Sequence, residues 1–136
     1  MSEFVIYCSN EEETPSDFKF ELPPSFDFRG HWECALLEIS LDCQFTPEKD
    51  RLYLCADFLD ESFINRLRAP VLRNVEVKGN YNQTLIRAYD RPIYKRIRSD
   101  LGHQLRFRLL DGHLHPVTFV PTSTVHCVLR FRRWAP

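Results

Sequence analysis

The residues able to do chemistry are few and scattered. His113 and His115 flank Leu114 just after Asp111-Gly112, and two histidines at i and i+2 on an extended chain could share a metal ion. A metal site gathers three or four ligands, and no third one is recognised beside this pair, so no metal or other cofactor is expected. The five cysteines, Cys8, Cys34, Cys43, Cys55 and Cys127, are odd in number and form no C-x-x-C pair. Cys8, Cys34 and Cys127 fall on the apolar parity of their segments, where free cysteine behaves as a small hydrophobe. His31 and His126 read as surface histidines. No G-x-S-x-G, P-loop or H-E-x-x-H is present, and Pro121-Thr122-Ser123-Thr124 reads as a loop rather than a nucleophile with its base. The sharpest charged cluster is Arg91, Lys95, Arg96 and Arg98 around Tyr94, residues that could bind phosphate, line a surface loop or form a subunit contact. No enzyme reading has a positive feature behind it.

The chain has 136 residues and a formal charge of −1, with 11 Phe, 5 Tyr and 2 Trp against only 4 Gly and 1 Met. That length suits one domain spanning 1–136 with a core of its own, and the aromatic bias favours strands. Neither a secretory signal nor a stretch of the roughly 20 apolar residues that span a bilayer is recognised. The expectation is a soluble protein made inside the cell and not secreted, with no membrane partner. Residues 1–68 hold 15 acids and 6 bases, a net of −9, whereas residues 69–136 hold 4 acids and 12 bases, a net of +8. With so little net basicity overall, nucleic acid is not the expected partner.

The element that must organise the rest is Gly30 to Leu41. Trp32, Cys34 and Leu36 share one parity of an extended chain and Leu37, Ile39 and Leu41 the other, so both sets can face one core only across a β-bulge near Leu36-Leu37. A helix over this stretch would lack a good cap other than Gly30. Before it, Glu3–Cys8 and Asp17–Leu22 alternate as strands around an acidic loop. After it, Arg51–Phe58, Pro70–Val77, Gln83–Tyr89, Gln104–Leu110 and Thr124–Arg132 read as strands. Asp60–Arg68 is expected to form one or two helical turns, with Phe63 and Leu67 spaced by four, and Asp90–Gly102 an irregular basic connection. Gln44–Asp50 and Lys78–Asn82 are read as a loop and a turn, and Asp111-Gly112 as a hairpin signal.

Eight short strands in one domain predict an all-β, single eight-stranded antiparallel jelly-roll sandwich with sheets B-I-D-G and C-H-E-F. An immunoglobulin-like sandwich is the rival, but it has seven or nine strands and often a bridging cysteine pair. The jelly-roll order carries a charge test. It would bring Arg130 and Arg132 to Glu3, Glu33 or Glu38, and Arg106 and Arg108 to Asp17, Glu21 or Asp57, each opposite-charge pair contributing a few tenths to about 1 kcal/mol.

The segments Phe4-Val5-Ile6-Tyr7-Cys8-Ser9-Asn10, Thr14-Pro15-Ser16-Asp17-Phe18, Leu22-Pro23 and Gly30-His31-Trp32-Glu33-Cys34-Ala35-Leu36-Leu37-Glu38-Ile39 resemble the N-terminal half of the small minor capsid (penton) proteins of Polinton/Maverick elements and adintovirus-like viruses. Leu52–Asp57, Ala69–Arg73, Asp111-Gly112, Pro116–Phe119 and Val128–Arg133 fit the same pattern in the same order. The sequence departs from it at Asp60–Arg68, which lacks the family's glycine-bearing loop. The resemblance implies a capsid protein of the virion, a homopentamer at icosahedral vertices whose partners are itself and a double-jelly-roll major capsid protein. Arg91, Lys95, Arg96, Arg98, Arg133 and Trp134 are the expected subunit-contact residues, the alternative for Trp134 being that it folds back over the domain's own edge. A competing reading is a monomeric β-sandwich module that binds carbohydrate or another small molecule through Tyr7, Tyr53, Tyr81, Tyr89 or Trp134.

Overall fold

The computed structural model describes residues 3–11, 13–26, 28–42, 51–77, 84–98, 103–119 and 123–135. Cys43, the loop expected at 44–50, the turn expected at 78–82 and the Pro121-Thr122 pair lie outside them. The described chain contains no helix. Its strands are β1 (Glu3–Ser9), β2 (Asp17–Glu21), β3 (Trp32–Asp42), β4 (Arg51–Ala56), β5 (Ser62–Ile64), β6 (Leu67–Ala69), β7 (Val71–Glu76), β8 (Thr84–Ala88), β9 (Lys95–Arg96), β10 (Gln104–Leu110) and β11 (Val125–Arg133).

One sheet has the order β1-β11-β3-β8 with β9 also paired to β3, and the other has the order β2-β10-β4-β7. All the pairings are antiparallel. If β1, β2, β3, β4, β7, β8, β10 and β11 are taken as strands B to I, both orders are those expected. Among the described residues the expected count of eight is corrected to eleven, because β5, β6 and β9 form where no strand is expected.

The β5–β6 hairpin replaces the helical turns expected at Asp60–Arg68. Asn65 adopts φ 54° in its two-residue turn, a left-handed conformation that asparagine tolerates better than most residues. Asp60 does not cap a helix, since its backbone N–H donates to the Arg96 carbonyl at 3.0 Å. Asp90–Gly102 is likewise not wholly irregular: Arg96 pairs with Glu33 and Lys95 with Cys34 as β9.

β3 is the central strand. It pairs with β11 from Trp32 to Leu41 apart from Leu37, with β8 along its C-terminal half and with β9 near its N-terminal end. Leu36 pairs with Leu129 and Glu38 with Val128, so Leu37 is the inserted residue of a bulge. Trp32, Cys34 and Leu36 are buried before it, and Ile39 and Leu41 after it. Leu37 is only half-buried, which corrects its expected place in the inward set, because the inserted residue of a bulge leaves the strand's alternation.

The main core lies between the sheets, with Phe18, Leu54, Phe107, Leu129 and Phe131 among its fully buried side chains. One end is closed by an aromatic group in which Phe4 stacks on Phe131 (5.2 Å between ring centroids) and Phe28 meets the Trp32 edge (5.6 Å). Such pairs add to area burial. A second, smaller core of Cys55, Ile64, Ala69, Val71 and Leu110 also incorporates the β5–β6 hairpin. At the other end Asn10 is buried and acts as a clip, its Nδ2 donating to the Glu13 and Ser123 carbonyls and its Oδ1 accepting from the Val125 N–H at 2.8 Å.

Candidate assembly surface

Some of the charged side chains of the strands pair across neighbours. Arg106 forks onto Asp17, with Nε to Oδ1 at 2.9 Å and Nη2 to Oδ2 at 2.6 Å, and Arg108 Nη2 donates to Asp57 Oδ1 at 2.9 Å. On the other sheet Arg132 Nε donates to Glu33 Oε1 at 2.6 Å, with its guanidinium over the Tyr94 ring. The hydrogen bond from Arg106 holds the Asp17 carboxyl below its ordinary range. Arg130 departs from the expected pattern. It stands between Val5 and Ala35 in register, and none of the ion pairs among the described residues uses it. Part of the sequence's charge asymmetry is thus consumed inside the sheets, and part is not.

The six residues expected at a subunit contact fall into two places. Arg96 and Trp134 meet at one corner, where the Arg96 guanidinium lies 4.0 Å from the centroid of the Trp134 ring. The Trp134 backbone N–H donates to the His31 carbonyl (3.1 Å) and its indole N–H to the Trp32 carbonyl (3.2 Å), so the ring lies against the chain's own edge. Arg133 is exposed beside it with its guanidinium over Trp32 at 4.9 Å. Gly30 has φ +93°, and a Cβ there would come within 3.2 Å of Arg133 Nη1, so glycine serves both the turn and the approach. Arg98 continues this segment, its N–H donating to the Phe58 carbonyl.

The second place is the side formed by β7, β8 and the 89–96 segment. The exposed Arg91 offers its carbonyl to Arg73 Nη1, and Arg73 in turn covers Tyr89 at 4.0 Å. Lys95, Ile93, Phe63, Tyr53 and Arg73 line an open groove of about 200 Å³. Phe63 is 69% exposed and Ile93 50%. The groove was not legible from the sequence, because it depends on the unforeseen hairpin lying beside the basic connection.

The aromatic residues named for ligand stacking do not converge. Tyr7 is 75% exposed on β1, Tyr53 is half-buried on the other sheet, Tyr89 and Trp134 are each covered by an arginine, and Tyr81 lies outside the described residues. His113 and His115 stand with ring centroids 6.3 Å apart around Asp111, whose Oδ1 accepts both their backbone N–H groups. Burial raises the Asp111 carboxyl, and those hydrogen bonds with the two histidine charges outweigh it, leaving it below its ordinary range. Among the described residues no three His, Cys, Asp or Glu are grouped to hold a metal, and no helix is long and apolar enough to cross a membrane. Cys8, Cys34, Cys55 and Cys127 are free and buried. Burial pushes the Cys34 thiol well up and Cys55 to about 11, and a hydrogen bond with Cys8 together with burial raises Cys127.

No protein-family model matches the chain, and no curated protein matches it. Three chains of solved structures do. One is the selenomethionine-labelled mavirus penton protein, with a TM-score of 0.46 and 16% identity over 62% of this chain and 34% of that one. The match thus spans about a third of the length of that protein.

Proposed function

We propose that the chain is a single jelly roll and a structural capsid protein: a penton subunit that forms a homopentamer at icosahedral vertices, beside a double-jelly-roll major capsid protein, and works by self-assembly rather than catalysis. The observation that supports this most is the strand order. Sheets in the orders β1-β11-β3-β8 and β2-β10-β4-β7 follow the double Greek-key course of jelly rolls, an architecture used by viral capsid proteins and by lectins. The order-wise resemblance of the sequence to Polinton/Maverick pentons adds the penton assignment. In this reading Arg91, Lys95, Arg96 and Arg98, together with Arg133 and Trp134, belong to the surface that meets a neighbouring subunit, and the protein resides in the virion.

Native mass spectrometry of the purified chain, paired with mass spectrometry of purified particles from the source element, tests this. A five-subunit species and presence in particles at vertex stoichiometry are expected. A strictly monomeric chain at high concentration that is also absent from particles overturns the reading.

A further inference from the structure

The two sheet orders place β1 and β2 at one lateral side of the sandwich and β7 and β8 at the other. One observation ties each side together. Ser9 of β1 and Lys19 and Glu21 of β2 line one open cavity with Glu11 and Glu13, whereas Arg87 of β8 donates to the Glu76 carbonyl of β7. The first side is acidic. Glu3, Glu11, Glu13 and Glu21 are exposed there, with Lys19 as the counter-charge. The second side is basic on balance, with exposed Arg66, Arg68 and Arg91 and half-buried Arg73, Arg87 and Lys95 against exposed Asp60, Glu61, Glu76 and Asp90.

Each side also carries apolar surface. Tyr7 and Val5 stand out from β1, and Ile86, Phe63 and Ile93 stand out on the opposite side. An interface with an apolar centre and charged rim has those ingredients.

We infer that the acidic β1–β2 side of one copy docks against the basic β7–β8 side, including the β5–β6 hairpin and the 89–96 segment, of a second copy of this chain. Charge complementarity selects this pairing. A two-fold dimer joining like sides would set carboxylate against carboxylate or guanidinium against guanidinium, a juxtaposition that costs several kcal/mol. Contacts between unlike sides are heterologous, and heterologous contacts close into rings when the rotation permits. The inference rests on the proposed self-assembly and adds to it which surfaces meet.

The test uses two pairs of exposed residues. Glu11→Lys/Glu21→Lys reverses the acidic side, Arg66→Glu/Arg91→Glu reverses the basic side, and a third chain carries all four. Sedimentation velocity and thermal melting are read for each. The expected result is a complex for the unaltered chain, about tenfold or greater weakening in either reversed chain with the melting temperature kept, and recovery in the four-substitution chain. Raising NaCl from about 0.1 to 1 M should also weaken the unaltered complex. If the unaltered chain assembles but either reversed chain does so equally well, or if the four-substitution chain folds yet stays dissociated, the assignment of surfaces is wrong while the capsid reading stands. If the unaltered chain stays monomeric throughout, the assignment of surfaces is wrong, and the capsid reading falls with it when the chain is also absent from particles.

Discussion

Arg96, from a short strand on the edge of β3, covers the ring of Trp134 at 4.0 Å, while the indole N–H donates to the Trp32 carbonyl. Three segments far apart in sequence are fastened at this corner. Trp134→Ala should therefore lower stability by about 1–3 kcal/mol, combining the lost cation–π contact and a lost hydrogen bond. Thermal melting followed by circular dichroism should show a drop of several degrees, and Trp134→Phe should recover part of it. An unchanged melting temperature would mean that the ring is free to serve a neighbour alone.

The pair Arg106–Asp17 sets an acid response. Its carboxyl titrates lower in the folded protein than in the unfolded chain, so its stabilisation is present above the ordinary 3.8 and declines as pH falls from there through the folded value. Both side chains are about 40% exposed (42% and 41%), which limits the gain to about 1 kcal/mol. In urea titrations the stability difference between the unaltered protein and Asp17→Asn should be greatest near neutral pH and vanish in strong acid. A difference that persists in strong acid would assign the effect to packing.

Asn10 joins the end of β1 to the start of β11 through a buried amide. Asn10→Ala would leave the buried Val125 N–H without the 2.8 Å bond it makes to Oδ1. The expected cost is about 1–3 kcal/mol, read by urea denaturation, with faster hydrogen exchange at Val125.

The four described cysteines should be silent toward thiol reagents. The thiolate is the reactive species, and the burial that raises Cys34, Cys55 and Cys127 also shields them. Iodoacetamide at pH 8 with peptide mapping should leave Cys8, Cys34, Cys55 and Cys127 unmodified in the native protein and modify them in denaturant. Native-state labelling at any of the four would require local opening there.

The long strands and their charge pairs were legible because each carries its own period-two pattern, and because an outward Arg on one strand needs an acid on the next. Asp17 and Asp57 stand among the three acids expected for Arg106 and Arg108, and Glu33 among the three expected for Arg130 and Arg132, of which only Arg132 takes it. The β5–β6 hairpin was not legible: Phe63 and Leu67 imitate a helical face, although in the structure both are exposed and it is Ile64 and Ala69 that are buried. β9 was hidden for a related reason. Lys95 and Arg96 look like solvated charge, and only the backbone of β3 makes a strand of them. The basic groove could not be read from residue types, because it depends on the β5–β6 hairpin lying beside the 89–96 segment.

Leu37 offers the sharpest test of how the sequence encodes the fold. The chain on its N-terminal side buries Trp32, Cys34 and Leu36, the chain beyond it buries Ile39 and Leu41, and the two sets are out of phase by one residue. Deleting Leu37 removes that offset, because a one-residue shift turns every following side chain of a strand over, so all five residues share one parity and a regular strand without a bulge can bury both sets. The deletion should therefore keep a cooperative unfolding transition, and Leu37→Thr, which keeps the inserted residue and alters only a half-buried side chain, should cost about 1 kcal/mol or less. A deletion variant that no longer unfolds cooperatively would show that the bulge itself, and not only the phase of the apolar residues, is needed to fit β3 between its neighbours.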